Sequence, residues 1–184
     1  MKKILLAISL IGIVIVLSGC ETTASRPYAA STDNVLKLQG LMSQSNTKVK
    51  LGAFTESSDI GSLNCRLNGP IDVSPGKTKA AYIQEAFKTE LFMAQAYAID
   101  AETNIYGRLD SLEFSSVSPA KWEIGFTLSS DKSEGYSVNI AYPFKTSFSA
   151  YSACKNVADA FGPAVQNLIK ELINHPDFSS LIGQ

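Results

Sequence analysis

The chain has one histidine, one tryptophan and three cysteines in 184 residues. These scarcities exclude a good deal of chemistry. With His175 as the sole imidazole, a multi-histidine metal centre or a Ser-His-Asp triad has nothing to build on. No serine sits in G-x-S-x-G, so hydrolase chemistry of that type is not expected. His175 stands directly before Pro176 and reads as a helix-end residue whose positive form suits the helix dipole. Charge is also sparse. Lys and Arg number 16 against 17 Asp and Glu, and charged residues make up 18% of the chain, so there is no clustered basic face to drive nucleic-acid binding by counterion release. A hydrophobic fraction of 45% suits one globular domain. No internal repeat and no second domain are evident.

What the chain does have is a distinctive start, MKKILLAISLIGIVIVLSGC. Lys2 and Lys3 precede an apolar run from Ile4 to Leu17, which is too short to span a bilayer core of about 30 Å and matches a secretory signal over residues 1–19. The four residues Leu17-Ser18-Gly19-Cys20 resemble the lipobox of bacterial lipoproteins. That resemblance implies alkylation of the Cys20 thiol by a diacylglycerol, cleavage before it, and fatty acylation of the freed amine. Cys20 is thus the expected lipidation site, and the membrane is reached through an anchor rather than a span. Cleavage leaves all 17 acids and 14 of the 16 bases, a net charge of −3. Glu21 stands where inner-membrane-retained relatives carry aspartate, so the resemblance implies an outer-membrane lipoprotein whose domain faces the periplasm.

Residues 21–34, ETTASRPYAASTDN, lack apolar periodicity. Residues 20–34 therefore read as a lipidated flexible tether, the alternative being an ordered arm docked through Tyr28. Residues 35–184 read as a single α+β domain.

Two cysteines remain, Cys65 and Cys154, in a chain bound for an oxidising compartment. A disulfide between them is expected, with two buried free thiols as the alternative. The loop it closes would stabilise the fold by roughly 4.5 kcal/mol in the chain-entropy model. There is no C-x-x-C and no nearby histidine, so neither a metal nor a cofactor is expected.

Hydrophobic spacing supplies the fold class. Thr47–Thr55 alternates Val49, Leu51 and Ala53 with polar or small residues, as a one-sided strand does, and Leu63–Val73 continues with Leu63, Cys65 and Leu67 on one side. Residues 78–98 turn helical, with Ile83, Ala86, Phe87, Met93, Ala94 and Tyr97 opposite the polar side. Three strands follow at 104–115, 121–130 and 136–148, the last interrupted by Pro143, which argues for a bulge or an edge position. A helix over 151–174 stops at His175-Pro176 and gathers Cys154, Val157, Phe161, Val165, Leu168 and Leu172 on one stripe. Phe178, Leu181 and Ile182 read as a short closing helix. The expected architecture is two-layer: a mainly antiparallel sheet of about five strands with two amphipathic helices on one face. The other sheet face would show Glu123, Thr127, Ser137 and Asn139.

Residues from about 80 to 182, with the strands from Trp122 to Tyr142, the stretch SFSAYSACKNVADAF and the closing HPDFSSLI, resemble small α/β lipoproteins of Gram-negative envelopes, most nearly the YajG-like group. The resemblance brings no catalytic residues and no cofactor. It implies a non-enzymatic binding or scaffolding component of the cell envelope, with an envelope protein as partner and the oligomeric state open. The alternative is a periplasmic carrier sheltering a lipid or glycan between sheet and helices.

Three local features are candidates for something more. Gly76-Lys77-Thr78 suggests a phosphate loop, but six residues including two prolines separate Gly69 from Gly76 where such a loop has four. Glu90 falls on the apolar stripe of its helix. Burial disfavours its ionised form unless Arg66 or Arg108, a tyrosine hydroxyl, or a pocket receives it. Phe92 falls among polar residues and marks a possible contact surface.

Overall fold

The computed structural model describes residues 23–43 and 47–184. In chain order these form β1 (Thr23–Ala24), α1 (Thr32–Ser43), β2 (Val49–Glu56), a 3-10 turn at Arg66–Asn68, β3 (Ile71–Asp72), α2 (Lys79–Met93), β4 (Thr103–Ser115), β5 (Lys121–Ser130), β6 (Tyr136–Pro143), α3 (Ala150–Asn174) and α4 (Phe178–Leu181). The fold is two-layer α+β. Its main sheet has four strands in the order β2-β4-β5-β6, with α2 packed on β2 and β4, and α3 on β5 and β6.

The β4-β5-β6 meander is antiparallel throughout, as the alternating pattern predicts. The fourth pairing departs from it: β2 runs parallel to β4, because the chain returns through α2 instead of a hairpin, and parallel neighbours need such a crossover. The sheet has four strands, not five. Leu63–Val73 supplies only the two residues of β3, which pair with β1 in a separate two-stranded parallel ribbon. Gly69-Pro70 ends the alternation there. Cys65 N–H donates to the Gly69 carbonyl at 2.9 Å and closes a tight turn, so Leu67 projects into solvent instead of following Leu63 and Cys65 inward. Gly69 takes a positive φ of 80° and Pro70 has no N–H to donate, so an extended strand does not continue through them.

Bulges re-aim two strands. In β2 the register shifts between Leu51 and Phe54, so Phe54 rather than Ala53 faces the core. In β4 it shifts between Leu109 and Ser111, so the inward series Ile105, Gly107, Leu109 continues at Leu112. Gly107 permits a close approach: a Cβ there would sit 2.6 Å from the Phe126 ring and 2.8 Å from that of Phe54. The two rings meet over the glycine, centroids 5.6 Å apart.

Helix boundaries follow local chemistry. Thr78 caps α2, its Oγ1 accepting from Ala81 N–H at 3.1 Å. The helix ends at Met93, earlier than periodicity predicts, because Gln95 takes a left-handed φ of 59° and Val49 then recruits the following segment, donating to Ala96 and accepting from Ala98. Ser149 opens α3 and His175 closes it. Pro163 lies within α3 on a half-buried position. Pro143 ends β6, which is an edge strand.

Trp122, Ile124, Phe126, Leu128, Ile105 and Leu109 of the sheet meet Ile83, Phe87, Phe161, Val165 and Leu168 of the helices in one buried core. Trp122 stands 5.1 Å from the rings of both Phe114 and Phe161. Its N–H donates to the Val157 carbonyl at 3.0 Å, which removes the cost of burying that polar group. The third helix, α1, packs mainly on α2 and α3. It buries Leu38 and Met42, while Asn34 donates to the Gln166 carbonyl at 2.9 Å.

Candidate functional site

Cys20, the signal segment 1–19 and the first residues of the expected tether lie outside the described residues. From Thr23 onward the chain does not hang free, so the reading of 20–34 as a flexible tether is corrected over that part. Thr23 and Ala24 pair with Ile71 and Asp72. Ser25 donates from N–H to Asp72 O at 3.0 Å and from Oγ to Val73 O at 2.8 Å. Arg26 meets Asp159 of α3 at 3.2 Å, and Gln166 donates to Ala29 O at 2.7 Å. The arm thus runs along α3 and delivers Tyr28 and Ser31 to α2. Ser31 then begins α1: its carbonyl accepts from Val35 N–H at 3.0 Å.

Glu90 receives that arm. Its carboxyl is fully buried; Tyr28 O–H donates to Oε1 at 2.5 Å and Ser31 N–H donates to the same oxygen at 2.9 Å. Of the three fates open to Glu90, the tyrosine bond is the one realised, and neither arginine meets it. Arg108 bonds to Asp110 at 2.5 Å, and Arg66 is occupied elsewhere. Burial pushes the Glu90 carboxyl above its ordinary range, opposed by the hydrogen bonds from Tyr28 and Ser31. Burial also raises the Tyr28 hydroxyl, reinforced by its bond to Glu90, so Tyr28 remains a donor. Oε2 of Glu90 and the Tyr82 hydroxyl are buried without a hydrogen-bond partner among the described residues. Tyr82 lies edge-on to Tyr28 at 6.2 Å and 5.2 Å from Phe161, which makes the place where the arm docks largely aromatic. Tyr28, Tyr82, Ala86 and Thr89 line a hollow of about 370 Å³ that Glu90 does not line. As chemistry, this is a latch: one carboxyl holds the arm by two donors.

Cys65 and Cys154 form a disulfide, Cα atoms 5.8 Å apart across 89 residues. It joins the turn before β3 to the start of α3. Beside it, Arg66 adopts a φ of 46° and gathers two further loops: Nε donates to Ser116 Oγ at 3.0 Å, and the guanidinium also donates to the carbonyls of Ser116 at 2.5 Å and Ser147 at 3.3 Å. Thr146 Oγ1 donates to the same Ser116 carbonyl. This pin was not foreseen. An arginine flanking a core cysteine was its sole sign in the sequence.

Glu90 and Phe92 are two residues apart on α2 but do not share a site. Glu90 points into the core, whereas Phe92 is 71% exposed. The sequence reading passed over α1, although Ser31 as cap, Asp33 in the first turn and apolar Val35, Leu38 and Met42 mark it. Among the described residues there is no group of three potential metal-ligating side chains, and no helix is long and apolar enough to cross a membrane.

No protein-family model matches this chain, and no curated protein matches it. Among solved structures it is similar to the crystal structure of protein XCC0632 from Xanthomonas campestris, of the DUF330 family. The two share 10% sequence identity over 69% of this chain and 84% of that one, at a TM-score of 0.46.

Proposed function

We propose that this chain is a lipid-anchored, non-enzymatic component of a Gram-negative outer membrane, akin to the small envelope lipoproteins that include the YajG-like group. It is acylated on Cys20, and its periplasmic domain serves as a binding or scaffolding surface for another envelope component. The observation that carries this reading is the arm. The chain is paired with the domain from Thr23, the first described residue and three residues beyond the lipobox cysteine, through Ser25, Arg26, Tyr28 and Ser31. An anchor at Cys20 would therefore hold the domain at a set place rather than on a long leash.

Binding at the surface is favoured over carriage of a ligand within. A carrier needs room between sheet and helices, and that layer is filled by Phe87, Ile105, Leu109, Trp122, Phe126 and Phe161. The one carboxyl that stood out, Glu90, is engaged in holding the arm. Two measurements test the proposal. Mass spectrometry of the mature chain is expected to show a diacylglyceryl and fatty-acyl adduct on Cys20; an unmodified amino terminus overturns the anchor. A photo-crosslinker at Phe92 in the native envelope is expected to give one adduct of defined mass. A domain that yields no adduct at any exposed position and co-purifies with lipid or glycan overturns scaffolding in favour of carriage.

A further inference from the structure

Three loops meet at the end of the molecule where the described chain begins: the turn after Cys65, the β4–β5 connection at 116–120 and the β6–α3 connection at 144–149. Arg66 ties them through Ser116 and Ser147. At their tips stand Leu67, Val117 and Phe148, with relative exposures of 101%, 58% and 108%. Val117 and Phe148 line one hollow of about 400 Å³ with Arg66. Isolated exposed hydrophobes are ordinary, but a gathered set on loop tips needs an apolar neighbour.

The charge on these tips is one-signed. Cys65–Gly69, 116–120 and 144–149 carry Arg66 and Lys145 and no acidic residue. The adjoining 57–78 connection adds Asp59 and Asp72 against Lys77.

The start of the arm fixes what lies nearby. Thr23 pairs with Ile71, whose N–H donates to Leu63 O, two residues from the disulfide that reaches the first turn of α3. From there the arm runs away from this end, past Asp159 and on to Gln166. Thr23, the first described residue, therefore lies on the side of the fold that carries the loop tips. The three residues from Cys20 to Thr23 span at most about 10 Å when extended.

Resting on the Cys20 anchor proposed above, we infer that this loop end is a membrane-contacting face: Leu67, Val117 and Phe148 enter the interfacial layer of the bilayer that holds the acyl chains, with Arg66 and Lys145 at the level of anionic headgroups. The domain then stands end-on, with α3 directed away from the membrane and Phe92 at its far side. The depth reached would be that of an interfacial element, on the order of 5–10 Å.

The test uses the full mature protein, with an environment-sensitive fluorophore placed through Leu67→Cys, Phe148→Cys, Phe92→Cys or Ile99→Cys, without reduction of the disulfide. All four side chains are more than half exposed, so labelling leaves the core intact. Each labelled protein is reconstituted into phosphatidylethanolamine–phosphatidylglycerol vesicles with and without nitroxide-bearing lipid, and Cys20 is checked by mass spectrometry on the same sample. The expected result is an acylated Cys20, blue-shifted emission at 67 and 148 with most of it lost to the nitroxide, and unchanged emission at 92 and 99. An acylated Cys20 with unquenched, unshifted probes at 67 and 148 overturns the contact face and leaves the anchor standing. Quenching at both ends overturns the end-on orientation. A blue shift at 67 and 148 without lipid quenching shows a second copy of this chain covering the face, and also overturns it. A Cys20 without acyl chains removes the anchor and this inference together.

Discussion

The two ends of the molecule both expose apolar side chains, yet they are built differently. At the loop end, Leu67, Val117 and Phe148 sit on connections cross-braced by a disulfide and one arginine. At the other end, Phe92 at 71% and Ile99 at 84% exposure project from the last turn of α2 and the segment after it. There the connections carry Asp100, Glu102, Asp131 and Glu134 against Lys48 and Lys132. The braced end is short of acids and receives the first described residues, Thr23 and Ala24; the opposite end is rich in acids. Exposed hydrophobes alone do not distinguish a lipid neighbour from a protein one. Local charge is a further respect in which the two ends differ.

This contrast can be broken in stages. Cys20→Ser should have the largest effect, moving the protein from the membrane pellet to the soluble fraction on cell fractionation; retention in the pellet would mean that the domain holds the membrane without acyl chains. Replacing Cys65 and Cys154 together by serine should cost about 2–5 kcal/mol in denaturant unfolding, with the loop end becoming the first place to gain hydrogen exchange. Arg66→Ala should follow, at about 1–3 kcal/mol, since it leaves the Ser116 and Ser147 acceptors to find water. Equal protection of the two ends in that variant would show that the pin is dispensable. Phe92→Ser should have the smallest effect, shifting stability in denaturant unfolding by no more than about 0.5 kcal/mol.

The Glu90 latch sharpens the picture through pH. Because burial raises this carboxyl's pKa in the folded state, the folded protein holds the Glu90 proton more tightly than the unfolded chain does. Its contribution to stability is therefore fully present below the unfolded carboxyl's titration and is lost as pH rises through the raised folded value. Stability relative to Glu90→Gln should accordingly decline with rising pH, as read from melting curves across the acidic to neutral range. Tyr28→Phe removes a donor to the same oxygen and should cost about 1–3 kcal/mol, while moving the Glu90 titration further upward. A flat difference between wild type and Glu90→Gln across that range would contradict the burial argument.

Much of the architecture was legible because it is periodic. The limits of β5 were readable to the residue, as was the end of α3 at Asn174, since Trp122, Ile124, Phe126 and Leu128 alternate cleanly and His175-Pro176 halts a helix. The disulfide was readable for a similar reason: Cys154 sits on a helical apolar stripe and Cys65 follows Leu63 inward. Misreadings occurred where a turn or bulge broke the period. Leu67 was turned outward by the Gly69-Pro70 turn, and Ala53 exchanged places with Phe54 through the β2 bulge.

What the sequence by itself determined is therefore the class of fold, the pairing of the two core cysteines and the oddity of a carboxylate on an apolar stripe. All three follow from local spacing and from the cost of burying charge. Only the tertiary structure decided that β2 runs parallel to β4, that Tyr28 and Ser31 donate to one oxygen of Glu90 across some sixty residues, and that three separate loops present their hydrophobes together. Those outcomes depend on which distant segments meet, and loop closure brings segments together at a cost that depends only weakly on their separation, so no local pattern records the choice.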